Sequence, residues 1–487
     1  QFHFQYHRIR VPRDKLPLPR VYKDILTPTN RTWDDVLDLA VADGVNKNSI
    51  PGAVVKASLT APPIRTDNND THTVSTHNST TQASEDEEPV RDSVQLSHNE
   101  DTVQIEQDTC RPMADWMTAV FCNCNSIHEI DMKASTSQLD QTDLALLGQG
   151  WFRSTWKYKT HQAHSNATMS PVAPSLGSTV VLKTLRMERE FLDEYFDLHR
   201  RDAVAMERLT FSPFVMDVYG YCGQSALNEI ADGVANGRLT SLEQVNRAMR
   251  GKENDPGAMR IKLQLATSIA IGLAHVHNVY IGGEPGHTRR YSTKNLLYSD
   301  DSKSSTTGFG NSLATMSHYD FNPRNIQMMS SGKAKLNDFN IAEFLTYNTT
   351  TDQPCGFRSR LHEPWWRAPE EMDMSHTAMV TEKVDVYALG NVLFHILTTH
   401  APRGKMKKER MDEVRSLVRN GTRPAMLEPY VSGEIRKNRI TKAFVKAMDL
   451  CYEADPSNRG TSIQVARVLH KALKREEDEI RNAKKKV

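Results

Sequence analysis

The chain has 487 residues, enough for two or three domains, and its hydrophobic and charged fractions of 38% and 25% fit a soluble globular protein with some unfolded segment. A formal net charge of +1 removes any bulk electrostatic case for nucleic acid or a membrane surface as partner. No apolar run approaches the ~20 residues of a membrane helix; the nearest, TSIAIGLAHVHNVYIGG, carries two histidines and reads as a buried globular helix.

In chain order, residues 1–135 form an N-terminal extension. RTWDDVLDLAVADG is a short amphipathic helix candidate. From about 61 to 108 the chain is Thr, Ser, Asn, Asp and Glu with almost no aromatics. Such a stretch cannot bury enough apolar surface to offset its ordering entropy, so disorder is expected there. The first residue is Gln1 and not Met, so trimming is expected, and a membrane anchor is possible only through a segment absent from this chain. The cysteines are Cys110, Cys122, Cys124, Cys222, Cys355 and Cys451, without a C-x-x-C pair, which argues against structural zinc. The cluster CRPMADWMTAVFCNC holds either one disulfide with a thiol left over or unpaired thiols.

Residues 136–231 are rich in β-like runs: DLALLGQG, STWKYKT, STVVLKTL, FVMDVYGYC and SALNEIA. The helical spacing of EREFLDEYFDLHRRDAVAMERL lies between the third and fourth. Residues 232–474 turn helical, with LQLATSIAIGLAHVHN, VDVYALGNVLFHILTT, ITKAFVKAMDLCYEA and SIQVARVLHKALKREEDEI, interrupted at about 281–312 by a polar, turn-rich insertion. A charged tail, 475–487, follows. Strands first and helices second predict an α+β body in two lobes.

Chemistry concentrates at a few places. In LLGQGWFRSTWK, Gly148 and Gly150 are either an ordinary turn or a hairpin whose amides approach a phosphate. In STVVLKT, Lys183 is either an edge lysine facing water or a strand lysine meeting an anion. In HYDFNPRN and NDFN, Asp320, Asn325 and Asp338 make an oxygen-rich set suited to magnesium and phosphate. Then come WWRAPEE, EKVDVYALGNVLF and CYEADPSNRG.

In this order the pieces resemble the protein kinase family over roughly residues 142–474: a Gly-rich loop, a strand Lys, a catalytic loop, D-F-G and A-P-E, here G-Q-G-W-F-R, V-V-L-K, H-Y-D-F-N-P-R-N, D-F-N and A-P-E. The resemblance implies the bilobal kinase fold, with ATP and Mg2+ as cofactors, a protein substrate and transfer to Ser/Thr hydroxyls. It implies that Lys183 neutralises the α- and β-phosphates, held by a helix acid: Asp202, with Glu207 and Glu194 as alternatives. Asn228 falls at the gatekeeper position, and Glu229 and Ala231 form the hinge to the adenine. Asp320 accepts the hydroxyl proton, and Asn325 and Asp338 hold the metal. Glu370 and Arg459 resemble the ion pair tying the activation segment to the C-lobe, and Asp385 caps the catalytic-loop backbone.

Four positions depart from the family pattern. Arg153 replaces the third loop glycine. Tyr319 replaces the arginine beside Asp320 that reads an activation-loop phosphate, although Tyr347, Thr349, Thr350 and Thr351 are candidate phosphosites. Asn340 replaces the glycine after Asp338-Phe339 and is expected to tolerate the left-handed conformation. Asn322 replaces the lysine that steadies the transferring phosphate, a role expected to pass to Arg324. Two alternatives to the Ser/Thr protein kinase stand: a pseudokinase scaffold with weak or no transfer, and a secretory-pathway kinase acting on a glycan or luminal protein. N-x-[ST] acceptors, including Asn78, Asn166 and Asn348, point toward the second. The cytoplasm or the cytoplasmic face of a membrane, and the secretory lumen, both stay open as compartments.

Overall fold

A computed structural model describes residues 110–118, 144–159, 179–186, 188–190, 192–252, 255–279, 297, 314–351, 353–360, 363–372 and 378–485. The chain divides into a unit of residues 28–109, which lies outside the described residues, and a unit holding 110–487. The expected N-terminal helix, the disordered stretch and most of the 281–312 insertion also lie outside them.

The N-lobe is built on a five-stranded sheet. Its strands are β2 (Leu144–Gln149), β3 (Arg153–Lys159), β4 (Thr179–Leu185), β5 (Val218–Cys222) and β6 (Ser225–Asn228), in the order β2-β3-β4-β6-β5. All pairings are antiparallel. β4 sits centrally, and its apolar run Val180, Val181 and Leu182 is correspondingly buried. Between β4 and β5 runs α1 (Asp193–Arg208), which opens on two acids that suit the positive end of its dipole. α1 buries Leu198, Ala203, Val204, Ala205 and Met206 toward the core.

The C-lobe is helical. α2 (Leu242–Ala248) starts on a capping box between Ser241 and Gln244. α3 (Pro256–His277) starts on Asp255, whose carboxylate accepts from the Gly257 N–H, with proline in the first turn. α4 (Lys383–Thr398) and α3 are apolar on nearly every side and are buried accordingly. α5 (Met411–Arg419), α6 (Arg439–Cys451) and α7 (Ser462–Lys485) complete the shell, with α6 and α7 packing on each other and on α3. α7 runs unbroken past residue 474 to Lys485, so the charged stretch after 474 continues this amphipathic helix. Among the described residues no helix is long and apolar enough to cross a membrane.

One segment departs from the expected organisation. Residues 110–118, read from sequence as part of the extension, pack onto the kinase-like body. β1 (Cys110–Pro112) pairs antiparallel with Thr346–Asn348, which in turn pairs with Gln353–Pro354. Cys110 is bonded to Cys355, 245 residues away, and not to a neighbour within its own cluster. Cys222 is also disulfide-bonded, and Cys451 is a buried free thiol. Beyond β1, Trp116 and Met117 are buried; the Trp116 ring meets Phe344 edge-on at 5.2 Å and lies under Arg208 of α1. The segment thus straps the 343–358 region to α1.

Candidate active site

The site lies where the sheet, α1 and two C-lobe loops converge. Lys183 on β4 pairs with Thr155 across β3 and with Ala226 across β6. Its ammonium reaches Asp202 on α1 at 2.9 Å and the Asn337 side-chain oxygen at 3.5 Å. Of the three acids open in the sequence, Asp202 is therefore the partner. It is 1% exposed, and its other oxygen accepts the Phe339 N–H at 2.7 Å. Burial would raise its pKa, but Arg153 and Lys183 outweigh that and hold the carboxyl well below the usual range.

Arg153 is the feature with no counterpart in the expected pattern. It is buried, and its guanidinium donates to Asp202 Oδ2 at 2.6 Å and to Asp338 Oδ1. Gly148, paired with Thr155 near the end of β2, and Gly150, in the turn to β3, are both exposed, and a Cβ at Gly148 would meet nothing within 4 Å.

The catalytic-loop strand β7 (Met316–Ser317) leads to Asp320. Asp385, at the start of α4, accepts from Ser317 Oγ, His318 N, Tyr319 N and the His277 ring, the closest at 2.6 Å. This over-determined cap holds Tyr319 at φ +61°, which an L side chain otherwise avoids. The Tyr319 hydroxyl accepts from the Arg360 N–H at 2.7 Å, so the residue replacing the phosphate-reading arginine tethers the activation segment directly, and burial pushes its pKa up to about 12. In the next turn the left-handed residue is Asp338 (φ +68°), not Asn340 as expected.

Asp320 accepts from the Asn325 amide at 2.9 Å, and Asn322 braces the same turn by donating to the Asp320 carbonyl at 2.9 Å. The cation at Asp320 is Arg367, from the loop before A-P-E, 47 residues on. It donates to Asp320 Oδ1 at 2.8 Å, to the Tyr319 carbonyl and to Glu371 at 3.4 Å. Arg324 is exposed in the short helical turn Pro323–Asn325. Among the described residues its side chain forms no hydrogen bond or ion pair, because the turn braced by Asn322 sets it outside. The signal for Arg367 was the arginine in WWRAPEE.

At the hinge, Asn228 is buried and its amide donates to Met206 Sδ at 3.5 Å. The Glu229 carboxylate is bound to Lys335 at 2.7 and 2.9 Å. The Ala231 N–H has no acceptor among the described residues. Glu370 and Arg459 form a bidentate pair at 2.6 and 2.9 Å.

Whether Asn325 and Asp338 suit a divalent ion is decided by Arg153. Asp338 is already ion-paired to the guanidinium, and the Asn325 amide is turned to Asp320. Among the described residues there is also no cluster of three or more His, Cys, Asp or Glu able to hold a metal. As arranged, the residues do not fit Mg2+.

Glu371 gives a pH prediction. Burial pushes its carboxyl up to about 7 despite Arg367 and the Ala368 N–H, which pull the other way. A raised acid pKa means the folded state holds the proton longer than the unfolded one, so stability falls as pH rises from about 4.5 to about 7, by about 3 kcal/mol. In Glu371→Gln the slope should flatten, leaving the smaller fall that the raised Asp217 carboxyl contributes, as read by urea melts at pH values spanning this window.

Residues 313–472, from just before the catalytic loop to α7, match the model of the family described as protein kinase domain. The chain is 24% identical over 266 residues to a probable LRR receptor-like serine/threonine-protein kinase of Arabidopsis thaliana, a stretch covering 54% of this chain and 26% of that protein. It is 23% identical over 350 residues to the probable serine/threonine-protein kinase CST of the same plant, covering 70% and 69%. A probable inactive receptor kinase of that plant, RLK902, is 28% identical over 159 residues, covering 31% and 23%. The chain thus spans about a quarter of the first relative and about two thirds of the second. A protein kinase domain implies ATP as cofactor and protein as substrate. With the two-lobed α+β fold, the Lys183–Asp202 pair and the Asp320 loop in place, the match over residues 313–472 makes the chain similar to the protein kinase superfamily.

Proposed function

We propose that the chain is a protein kinase that binds ATP and transfers its γ-phosphoryl group to Ser or Thr hydroxyls. The observation that carries this reading is the intact link across the lobes. Lys183 of β4 pairs with Asp202 of α1, and Asp202 accepts the N–H following Asp338. This sets Lys183 toward a phosphate chain whose adenine meets the hinge at Glu229 and Ala231. Asp320 accepts the hydroxyl proton while Asn325 and Arg367 fix its carboxylate and limit its charge. Pro323 and the Ser/Thr kinase names of the relatives support the hydroxyl class. The Mg2+ dependence expected from sequence enters this reading only in a conformation with Arg153 withdrawn from Asp338.

The pseudokinase reading is favoured by that same Arg153 contact. The Cys110–Cys355 disulfide supports an oxidising compartment, the secretory lumen, over the cytoplasm. The test is transfer of labelled γ-phosphate to the chain itself and to a Ser/Thr peptide mixture, beside Asp320→Asn. Transfer by wild type and none by the variant is the expected result; equal signals from both leave only the scaffold.

A further inference from the structure

Arg153 is the first residue of β3, and the pairing of β3 with β4 puts Arg153 opposite Leu185 and Thr155 opposite Lys183. Residues two apart on a strand share a face, so Arg153 and Lys183 project from the same side of the sheet as diagonal neighbours. Both end on the same oxygen, Asp202 Oδ2, at 2.6 and 2.9 Å, and the other terminal nitrogen of Arg153 reaches Asp338. A guanidinium stays charged at any physiological pH and is tolerated when buried only if acceptors surround it. Here they come from two elements, α1 and the D-F-N turn, and the flat face of the fork rests near the Phe152 ring at 5.1 Å. The fork geometry suits this bridging, since it presents two donors in fixed directions where an ammonium presents one point charge.

The charge balance is also closed from within. Lys183, Arg153 and Arg367 are paired with Asp202, Asp338 and Asp320, so these ion pairs neutralise the cleft before any ligand arrives. A divalent ion on Asp338 would have to share that carboxylate with a guanidinium already bonded to it. A polyphosphate needs no such displacement, because two of the five N–H donors of Arg153 are used and Lys183 lies beside it.

We propose that Arg153 is a built-in cation standing in for the divalent metal at Asp338, so that this cleft takes a nucleoside triphosphate in metal-free form. This rests on the reading of the cleft as an ATP site. The test measures binding of a fluorescent ATP analogue to the full chain in EDTA and in millimolar magnesium chloride, for wild type, Arg153→Gln and Arg153→Lys. Wild type should bind with affinities within about twofold in the two buffers, whereas Arg153→Gln should weaken about tenfold or more in EDTA and recover in magnesium. Arg153→Lys, which keeps the charge and loses the fork, should still bind better in EDTA than Arg153→Gln. A wild type as dependent on magnesium as Arg153→Gln overturns the inference and leaves the ATP site standing. Binding of the analogue by no protein in either buffer removes the ATP reading and this inference with it. Should Arg153→Gln fail to fold, melting of wild type with magnesium alone decides. No shift is expected where Asp338 is already satisfied, and a clear rise overturns the proposal.

Discussion

Arg367→Ala is expected to lower phosphoryl transfer by a hundredfold to a thousandfold, about 3–4 kcal/mol of transition-state stabilisation, while Arg324→Ala changes it no more than a surface substitution does. Arg367 lies 2.8 Å from Asp320 Oδ1 and also holds the Tyr319 carbonyl, so it fixes both the acceptor carboxylate and the strained residue before it. Its guanidinium carbon lies 5.4 Å from the centre of the Tyr319 ring, a cation–π contact that orients the fork further. Without it, Asp320 keeps the Asn325 amide but no cation, and a carboxylate left mobile no longer meets the hydroxyl proton in a productive geometry. Arg367→Lys should recover little, since one ammonium cannot serve two acceptors set for a fork. The discriminating measurement pairs turnover with nucleotide binding. Arg367→Ala should lose turnover at unchanged ATP affinity, because Lys183 and the hinge are untouched. If Arg324→Ala proves as damaging as Arg367→Ala, the assignment of the cation to Arg367 fails.

The contrast between these two arginines shows what a single sequence can carry. Lys183, Asp320, Asn325 and Asp338 were legible because each sits inside a short run whose order along the chain is itself a signature, and the α+β division followed from the switch from β-like to helical periodicity. Asp202 was legible only as one of three acids, since helical spacing fixes a face but not which carboxylate reaches a lysine on another element; the 2.9 Å contact resolves that. Arg324 was expected to steady the transferring phosphate because relatives carry a cation at that offset; it stands exposed in the Asn322-braced turn, and the cation that contacts Asp320 comes from a loop 47 residues away. Arg153 stands in the sequence only as the replacement for the third loop glycine; that its side chain reaches Asp202 and Asp338 depends on strand register, which the sequence does not state. Long-range closure was least legible. Nothing near Cys110 or Cys355 marks them as partners, because their approach is made by strand pairing between segments 245 residues apart.

That closure sets the second large effect. Cys110→Ser or Cys355→Ser should destabilise the protein by up to about 5 kcal/mol, the loop-closure entropy expected for a cross-link of this span. The loss should be concentrated at the activation segment. β1 is three residues long and a pairing that short does not hold on its own. Trp116 and Met117, with the Arg200 donation to the Met117 carbonyl at 3.2 Å, fix the far end of the strap. The 343–360 region keeps separate ties to α1 through Glu343, which meets Arg201 at 2.8 Å and Arg360 at 2.6 Å, so it should loosen without detaching. The signature is therefore a lower melting temperature together with faster proteolytic cutting between Leu345 and Arg360, in either serine variant under oxidising conditions. Reductant alone would not isolate the effect, because Cys222 is disulfide-bonded as well. Cys451→Ser is the control: this thiol is buried in the C-lobe and burial pushes its pKa up, so the strap should be indifferent to it. Serine variants that melt and resist protease like wild type would mean that β1 and the buried Trp116 hold the segment unaided, and that the disulfide is incidental to it.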